Sequence, residues 1–454
     1  MFRRVLIANR GEIALRVLRA CRALGCEVVV VYSEADRDSR IIALADEAVC
    51  IGPPPARSSY LDMRRVIAAA EITESDAIHP GYGFLSENSK FVEVVAACGF
   101  TFIGPPADVI ASVGDKNTAK TIAKAAGVPT VPGSPGLLAS EEEALTVAGE
   151  IGYPVMIKAT AGGGGRGMRL VRSAAELPGL LAAAKSEAAA AFSNPDVYME
   201  KFVEEPHHVE IQVIADTHGN LVHLGERECS VQRRHQKLLE ESPSPVLNPE
   251  LREAMGRAAV ALCRQAGYIN AGTVEFLVDA QRRFYFMELN ARVQVEHPVT
   301  EAVTGIDIVR EQIRVAAGLP LSFTQADIRQ TGAAIECRIN AEDSRHNFRP
   351  SCGRITHMEF PGGAGVRFDT HAYAGYMISP HYDSMIGKLI VHAENRAEAI
   401  GAMLRALDEC VIKGIETTVA FHKQILTDPR FVAGDYDTSF IATMGATRSQ
   451  ETGP

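Results

Sequence analysis

Apolar and polar residues alternate along this chain in blocks that switch between the period of a strand and that of a helix. Residues 4–8, Arg4-Val5-Leu6-Ile7-Ala8, predict a strand, and 13–24 predict a helix carrying Ile13, Val17, Leu18 and Leu24; 27–32 predict a second strand. Further alternation through 61–70, 77–79, 91–98 and 100–103 gives a doubly wound α/β domain ending near residue 113. The turn after the first strand reads Asn9-Arg10-Gly11-Glu12-Ile13-Ala14 rather than G-x-G-x-x-G, which argues against a dinucleotide site. A connecting helix is expected within 114–130, and the breakers of 127–136 predict a linker or hinge.

Residues 153–159 and 168–171 predict two strands joined by Gly162-Gly163-Gly164-Gly165-Arg166-Gly167. Glycine there lets backbone N–H groups approach phosphate oxygens, and ordering such a loop costs entropy, so 131–204 is expected to be a mobile lid. An Ala-rich helix over 177–192 and a strand over 197–204 complete it, the strand edge offering Lys201 and Val203 to an adenine. Next, 208–214 alternates as a half-buried strand with His208 and Glu210 on one side, and 221–224 reads as its hairpin partner. The run 226–237 reads either as a solvated charge run, or short nucleic-acid patch, or as an anion-handling segment. Two runs, 272–278 and 283–287, flank the turn Asp279-Ala280-Gln281-Arg282, so that Glu275 and Glu288 could meet across paired strands.

The densest chemistry follows, in Glu288-Leu289-Asn290-Ala291-Arg292-Val293-Gln294-Val295-Glu296-His297. If the strand continues, Glu288, Asn290, Arg292, Gln294 and Glu296 share one face. Two carboxylates and an amide oxygen suit Mg²⁺, and a guanidinium beside them suits a small oxyanion or phosphate. A solvated strand face with surface ion pairs is the competing reading.

Composition narrows the class. At 454 residues several domains or subdomains are expected, and 46% apolar with 22% charged residues is a globular balance without a membrane-length apolar run. No targeting peptide is read at the N-terminus, and nine cysteines without a CxxC pair fit a reducing cytoplasm. A net charge of −10 argues against a broad nucleic-acid surface. Beyond residue 338 short strands are expected over 353–356, 365–369 and 388–391, then a helix over 396–410, completing the core rather than adding a module; 445–454 reads as a frayed end.

In order, Lys158, the glycine-rich hairpin, Glu200-Lys201-x-Val203, Glu275 and Glu288-x-Asn290 resemble the ATP-grasp fold, whose members clamp ATP between two α+β parts. More closely, the chain resembles the biotin carboxylase family from Ile7-Ala8-Asn9-Arg10-Gly11-Glu12-Ile13 to about residue 440. Carrying this are 79–88 (HPGYGFLSEN), 158–168, Gln232-Arg233-Arg234-His235-Gln236-Lys237, Val293 to Pro298 (VQVEHP) and Glu336 to Asp343 (ECRINAED). Ala161 departs from the glycine run of many relatives. The implied fold class is α/β and α+β: an N-terminal doubly wound pre-ATP-grasp domain (1–113), an ATP-grasp lid (131–204), and a catalytic core with a C-terminal biotin-carboxylase subdomain (205–454).

The resemblance also implies roles. ATP would be met by Lys116, Lys158, Gly164, Gly165, Glu200, Lys201, Val203, His208, Gln232 and His235, and Mg²⁺, or Mn²⁺ in its place, by Glu275, Glu288 and Asn290. Bicarbonate would sit against Lys237, Arg292, Gln294 and the Val295 backbone, with Glu296 as general base and Arg338 on the ureido oxygen of biotin. No Ala-Met-Lys-Met biotin-attachment site is found, so biotin is expected on a biotin carboxyl carrier protein, or the chain is the front of a longer carboxylase; a carboxyltransferase partner and a homodimer are implied. Acetyl-CoA carboxylase is the expected setting, with propionyl-CoA or pyruvate carboxylase as alternatives. Two other classes compete: an ATP-grasp ligase for another carboxylate, and a silent ATP-binding subunit, which should have lost Glu296, Lys237 or a metal carboxylate.

Overall fold

The computed structural model describes residues 1–159, 168–192 and 194–444. The glycine run with Gly164 and Gly165, Ala161, and residues 445–454 lie outside the described residues. The chain forms two compact units. Unit 1 takes in Met1–Val128, His207–Phe276 and the chain from Glu288 onward; unit 2 takes in Pro129–Pro206 and Leu277–Met287.

Unit 1 opens with β1 (Arg4–Ile7), α1 (Gly11–Ala23), β2 (Glu27–Tyr32), β3 (Glu47–Cys50), β4 (Ala77–His79) and β5 (Thr101–Phe102). The strands form one sheet in the order β3-β2-β1-β4-β5, all four pairings parallel. Its strand β3 was not foreseen, because Glu47-Ala48-Val49-Cys50 is too short and mixed to show a period. Val5, Leu6, Ile7 and Val28 to Val31 are buried on both faces, as a parallel sheet covered by helices requires. The loop after β4 crosses toward the rest of unit 1: the Asn9 amide donates to the carbonyls of Pro80 (2.6 Å) and Tyr82 (2.7 Å), fixing the 79–88 motif at the strand ends.

Unit 2 holds a three-stranded antiparallel sheet in which β6 (Val155–Ala159) lies between β7 (Met168–Val171) and β8 (Val197–Lys201), backed by the helix Leu177–Phe192. The strand expected over 197–204 stops at Lys201.

The largest sheet has eight strands, most of them in unit 1, with the end of β12 and most of β13 in the 277–287 stretch of unit 2. It runs from β13 (Phe284–Asn290) through β12 (Asn270–Val278), β9 (His207–Ala215), β10 (Leu221–Arg233), β11 (Gln236–Ser242) and β14 (Ala333–Asn340) to Met385–Ala393 and Val366–Thr370. The C-terminal strands therefore finish the same sheet, as the sequence suggested. Of the readings of 226–237, the solvated charge run is excluded: the run is most of β10 and the turn into β11, with Glu226, Arg227 and Glu228 buried and Arg252 pairing Glu226 at 2.7 Å. One expectation is corrected: β13 ends at Asn290, so 291–296 is turn and loop rather than the strand that its alternation suggested.

Candidate active site

Strands β9 to β14 present their functional side chains on one face because alternate residues of neighbouring strands stack. On β9, His208, Glu210 and Gln212 point the same way, all buried, and Arg227 is the cross-strand partner of Glu210. The Arg227 guanidinium donates to Glu210 Oε1 (2.5 Å), Gln212 Oε1 (2.7 Å), Thr300 Oγ1 (2.9 Å) and Thr273 Oγ1 (3.0 Å), so four of the five N–H groups of a fully buried charge have acceptors.

Lys237, first residue but one of β11, is the hub. Its Nζ donates to Glu210 Oε2 (2.6 Å), Glu275 Oε1 (3.0 Å) and Glu296 Oε1 (2.6 Å), using all three ammonium protons. Burial works against its charge, but Glu210, Glu275 and Glu296 outweigh that and hold its pKa well above the ordinary lysine value. Glu296 is fully buried. Burial pushes it up, yet Lys237, Arg338 and Arg227 together keep it well below the usual carboxylate range. Its second oxygen accepts from Arg338 Nη2 at 3.0 Å, and Arg338 Nε donates to Glu240 Oε1 at 2.6 Å. Burial pushes Glu240 up to about 7, Arg338 partly opposing it.

The loop after β13 closes the other side. Although it is not a strand, Arg292 gathers it: the guanidinium donates to Gln294 Oε1 (2.7 Å), Asn290 Oδ1 (3.0 Å) and Glu87 Oε2 (2.8 Å), while Glu87 Oε1 accepts from the Ala291 N–H (3.0 Å). Gln294 Nε2 and Asn290 Nδ2 each donate to Glu275 Oε1 at 3.0 Å, and Asn290 Nδ2 lies 3.5 Å from Glu288 Oε1. His208 Nε2 is 2.9 Å from Glu275 Oε2. Burial first, then the Glu275 charge, pushes the Glu288 carboxyl up. A divalent cation would remove that like-charge cost, and carboxylates are hard oxygen donors of the kind Mg²⁺ takes, so Glu275 and Glu288 suit such an ion; Asn290 turns its Nδ2 to them and its Oδ1 to Arg292, and would add an oxygen ligand on turning its amide over.

Of the other residues singled out, Gln232 is the cross-strand partner of Lys237, and His235 forms the β10–β11 turn with Arg234, both at positive φ (64° and 51°). Side chains other than Gly, Asn and Asp rarely adopt that conformation, and such strain clusters at ligand sites. Lys116 is exposed at the start of the helix Lys116–Ala125, whose N-cap is Asp115. Val295 is half-buried, its carbonyl accepting from Lys388 Nζ at 2.7 Å. In unit 2, Lys158 Nζ donates to Glu200 Oε2 at 2.6 Å, and Lys201 Nζ donates to the carbonyls of Gly152 (3.0 Å) and Tyr153 (2.8 Å). Val203 follows the end of β8, half-buried.

Sequence reasoning missed Arg227, Glu240, Glu87 and Lys388 as members of this constellation and left Glu210 out of the site. For Glu210 the signal was present, two residues from His208 in an alternating strand; for Glu240 and Lys388 nothing short of the strand order could have brought them to Arg338 and Val295.

A buried lysine bridging three carboxylates, a carboxylate pair suited to a divalent cation and an arginine paired to Glu296, gathered at one antiparallel sheet, are groups of the kind an ATP-dependent ligase uses. Three family models match consecutive stretches: biotin carboxylase, N-terminal domain (residues 1–110), carbamoyl-phosphate synthase L chain, ATP binding domain (115–324), and biotin carboxylase C-terminal domain (336–443). The chain is 57% identical over 443 residues to a biotin carboxylase of Nostoc sp., covering 98% of this chain and 99% of that one. Among solved structures it is similar to a biotin carboxylase of Campylobacter jejuni (TM-score 0.90, 50% identity, 97% and 99% covered). It is also similar to the biotin carboxylase domain dimer of Hydrogenobacter thermophilus 2-oxoglutarate carboxylase, solved with MgADP, ADP and bicarbonate (TM-score 0.89, 48% identity, 98% of each). The chain belongs to the biotin carboxylase family.

Proposed function

We propose that this chain carboxylates biotin on a biotin carboxyl carrier protein, using ATP and bicarbonate through carboxyphosphate, as the biotin carboxylase subunit of an acetyl-CoA carboxylase in fatty acid synthesis. The observation that carries the reading is Glu296, fully buried yet held ionised between Lys237 and Arg338. In that state Glu296 is a weak base. An arriving bicarbonate competes for Lys237 and for Arg292, Gln294 and the Val295 backbone, and each cation drawn from Glu296 raises its basicity.

Glu296 then takes the bicarbonate proton, and the freed oxygen attacks the γ-phosphorus of ATP, giving ADP and carboxyphosphate. Carboxyphosphate yields CO₂ and phosphate; phosphate accepts the N1 proton of biotin while Arg338 stabilises the ureido oxyanion, and N1 captures CO₂. Mg²⁺ at Glu275, Glu288 and Asn290, or Mn²⁺ in its place, supplies positive charge to the phosphates. For the nucleotide we assign Lys116, His208, Gln232 and His235 in unit 1 and Lys158, Glu200, Lys201 and Val203 in unit 2, together with Gly164 and Gly165. Residues 131–204 are assigned as the lid of this machinery. A homodimer is inferred from the dimeric H. thermophilus relative. A reducing cytoplasm fits nine cysteines, all free.

The test is ADP release from the purified chain with ATP and Mg²⁺. Release that needs bicarbonate and rises with free biotin is expected; release independent of bicarbonate refutes the reading. Acetyl-CoA is taken as the final acceptor, while the 2-oxoglutarate carboxylase relative supports a different one. Carrier protein paired with carboxyltransferases for acetyl-CoA, propionyl-CoA and pyruvate, in the presence of labelled bicarbonate, identifies the acceptor by which product takes the label.

A further inference from the structure

Residues 291–296 have no strand partner, so the backbone leading into Glu296 lacks a ladder to hold it. Its carbonyls are met one by one instead. The Gln294 oxygen pairs with His297 Nδ1 (2.8 Å), the Val295 oxygen accepts from Lys388 Nζ (2.7 Å), and the Glu296 oxygen accepts from the Val299 N–H (3.3 Å). Two of these donors are local to the helix His297–Thr304. Lys388 is not. It comes from the strand Met385–Ala393, where it is the cross-strand partner of Arg338, and it is fully buried.

A fully buried lysine is costly unless its charge is answered. Here Glu12 lies 3.2 Å from Nζ, itself accepting a hydrogen bond from Tyr82 of the 79–88 loop. The Val295 carbonyl belongs to the peptide whose nitrogen is that of Glu296. A cation on it therefore fixes the plane from which Glu296 departs, and also the Val295 backbone assigned to bicarbonate. Methylenes of an apolar side chain would fill the space; only a donor at that distance can hold the carbonyl.

We propose that Lys388 is a positioning residue for the bicarbonate half-reaction, acting through the Val295 carbonyl to set Glu296 without touching substrate. This rests on the function proposed above. Lys388→Met and Lys388→Arg in the full chain test it, with bicarbonate-dependent ADP release measured at varied bicarbonate and varied ATP. Misplacing a reacting group by an ångström can cost about a hundredfold. In Lys388→Met, kcat should fall by roughly ten- to a hundredfold and KM for bicarbonate should rise, with KM for ATP unchanged; Lys388→Arg, which keeps a charged donor, should recover most of the rate.

Amide exchange over 294–297, followed without any ligand, should be faster in Lys388→Met, a readout that does not depend on the reaction. If Lys388→Met does not fold, the pair Glu12→Gln with Lys388→Met removes both buried charges and is read the same way. Wild-type kinetics and wild-type exchange in a folded Met variant, whatever its melting temperature, overturn the inference and leave the function intact. Equal rises in KM for ATP and bicarbonate also overturn it. A wild-type chain without bicarbonate-dependent ADP release overturns the functional reading instead, and faster exchange in the variant would then retain only the mechanical half, that Lys388 holds this loop.

Discussion

The two sheets of unit 1 solve opposite problems. In the parallel sheet, β1 and β2 bury an unbroken apolar run, Val5 to Ile7 against Val28 to Val31, where every side chain contributes by leaving water, about 1.5–3 kcal/mol for each fully buried aliphatic. In the antiparallel sheet the equivalent depth holds Glu210, Gln212, Arg227, Glu240, Glu296 and Glu336, groups whose desolvation costs several kcal/mol per ion before pairing offsets it. Stability alone would not select such a face. Its ions are crowded at depth, Lys237, Lys388, Arg227 and Arg338 among several carboxylates, and Glu240 is left near 7 and Glu336 well above the usual carboxylate range, burial being the main cause of each. The apolar sheet holds the molecule together, and the charged one holds chemistry.

The sharpest way to break this contrast is to remove one charge. Arg227→Ala leaves Glu210 buried and singly paired, and should lower stability by about 3–5 kcal/mol, read from the denaturation midpoint, with turnover lost as well. Ile7→Ala in the parallel sheet should cost a similar 2–5 kcal/mol but leave kcat/KM per folded molecule unchanged. An Arg227→Ala chain that is destabilised yet fully active would show that the charged face is structural after all.

Within the charged face, Glu296→Ala should abolish bicarbonate-dependent ATP cleavage and biotin carboxylation together. Arg338→Ala should separate them: losing an oxyanion-stabilising group costs about 2.7–4 kcal/mol, roughly a hundredfold or more in carboxylation, while ATP cleavage without biotin survives far better. Parallel loss of both activities in a folded, ATP-binding Arg338→Ala chain would remove Arg338 from the biotin step.

Lys158→Gln and Glu288→Ala should weaken ATP turnover by different routes, phosphate charge for the first and metal for the second. Raising Mg²⁺ should rescue Glu288→Ala in part and leave Lys158→Gln where it was; equal rescue of the two would merge the roles.

The smallest effect concerns His422, which is buried with Nε2 2.8 Å from the Arg338 carbonyl. Burial pushes its pKa down to about 4, the bond to Arg338 partly opposing. Between about pH 6.5 and 4 the unfolded chain takes a proton that the folded chain refuses, so this group's contribution to stability is present at neutral pH and is lost as pH falls, at up to about 1.4 kcal/mol per unit. The stability deficit of His422→Gln relative to the parent should therefore shrink from pH 7.5 to 5. A deficit constant across that range would mean that His422 takes up its proton as readily in the fold as in the unfolded chain.

The sequence by itself determined most of the element types and named most of the groups proposed for the reaction. Unbroken apolar runs such as Glu27–Tyr32 can hardly be anything but buried strands, and the 279–282 turn between two such runs places Glu275 near Glu288 through local chain geometry alone. Lys237, Arg292, Gln294, Glu296 and Arg338 were legible from their types and motifs, and the structure brings these five into one hydrogen-bonded set with Glu275 and Asn290. Only the tertiary structure decided which charges are buried and what each one faces. The run 226–237 left a solvated and an anion-handling reading open because local sequence carries no record of the strand that will cover it; Glu210 and Arg252 supply the counter-charges from other strands and helices. Likewise the alternation through 296 promised a strand, but β13 has no neighbour to pair with beyond Asn290, and a ladder cannot extend without one. Glu87, Glu240 and Lys388 enter the site from 205, 98 and 93 residues away, pairings that depend on the order of strands in a sheet and on nothing written beside them in the chain.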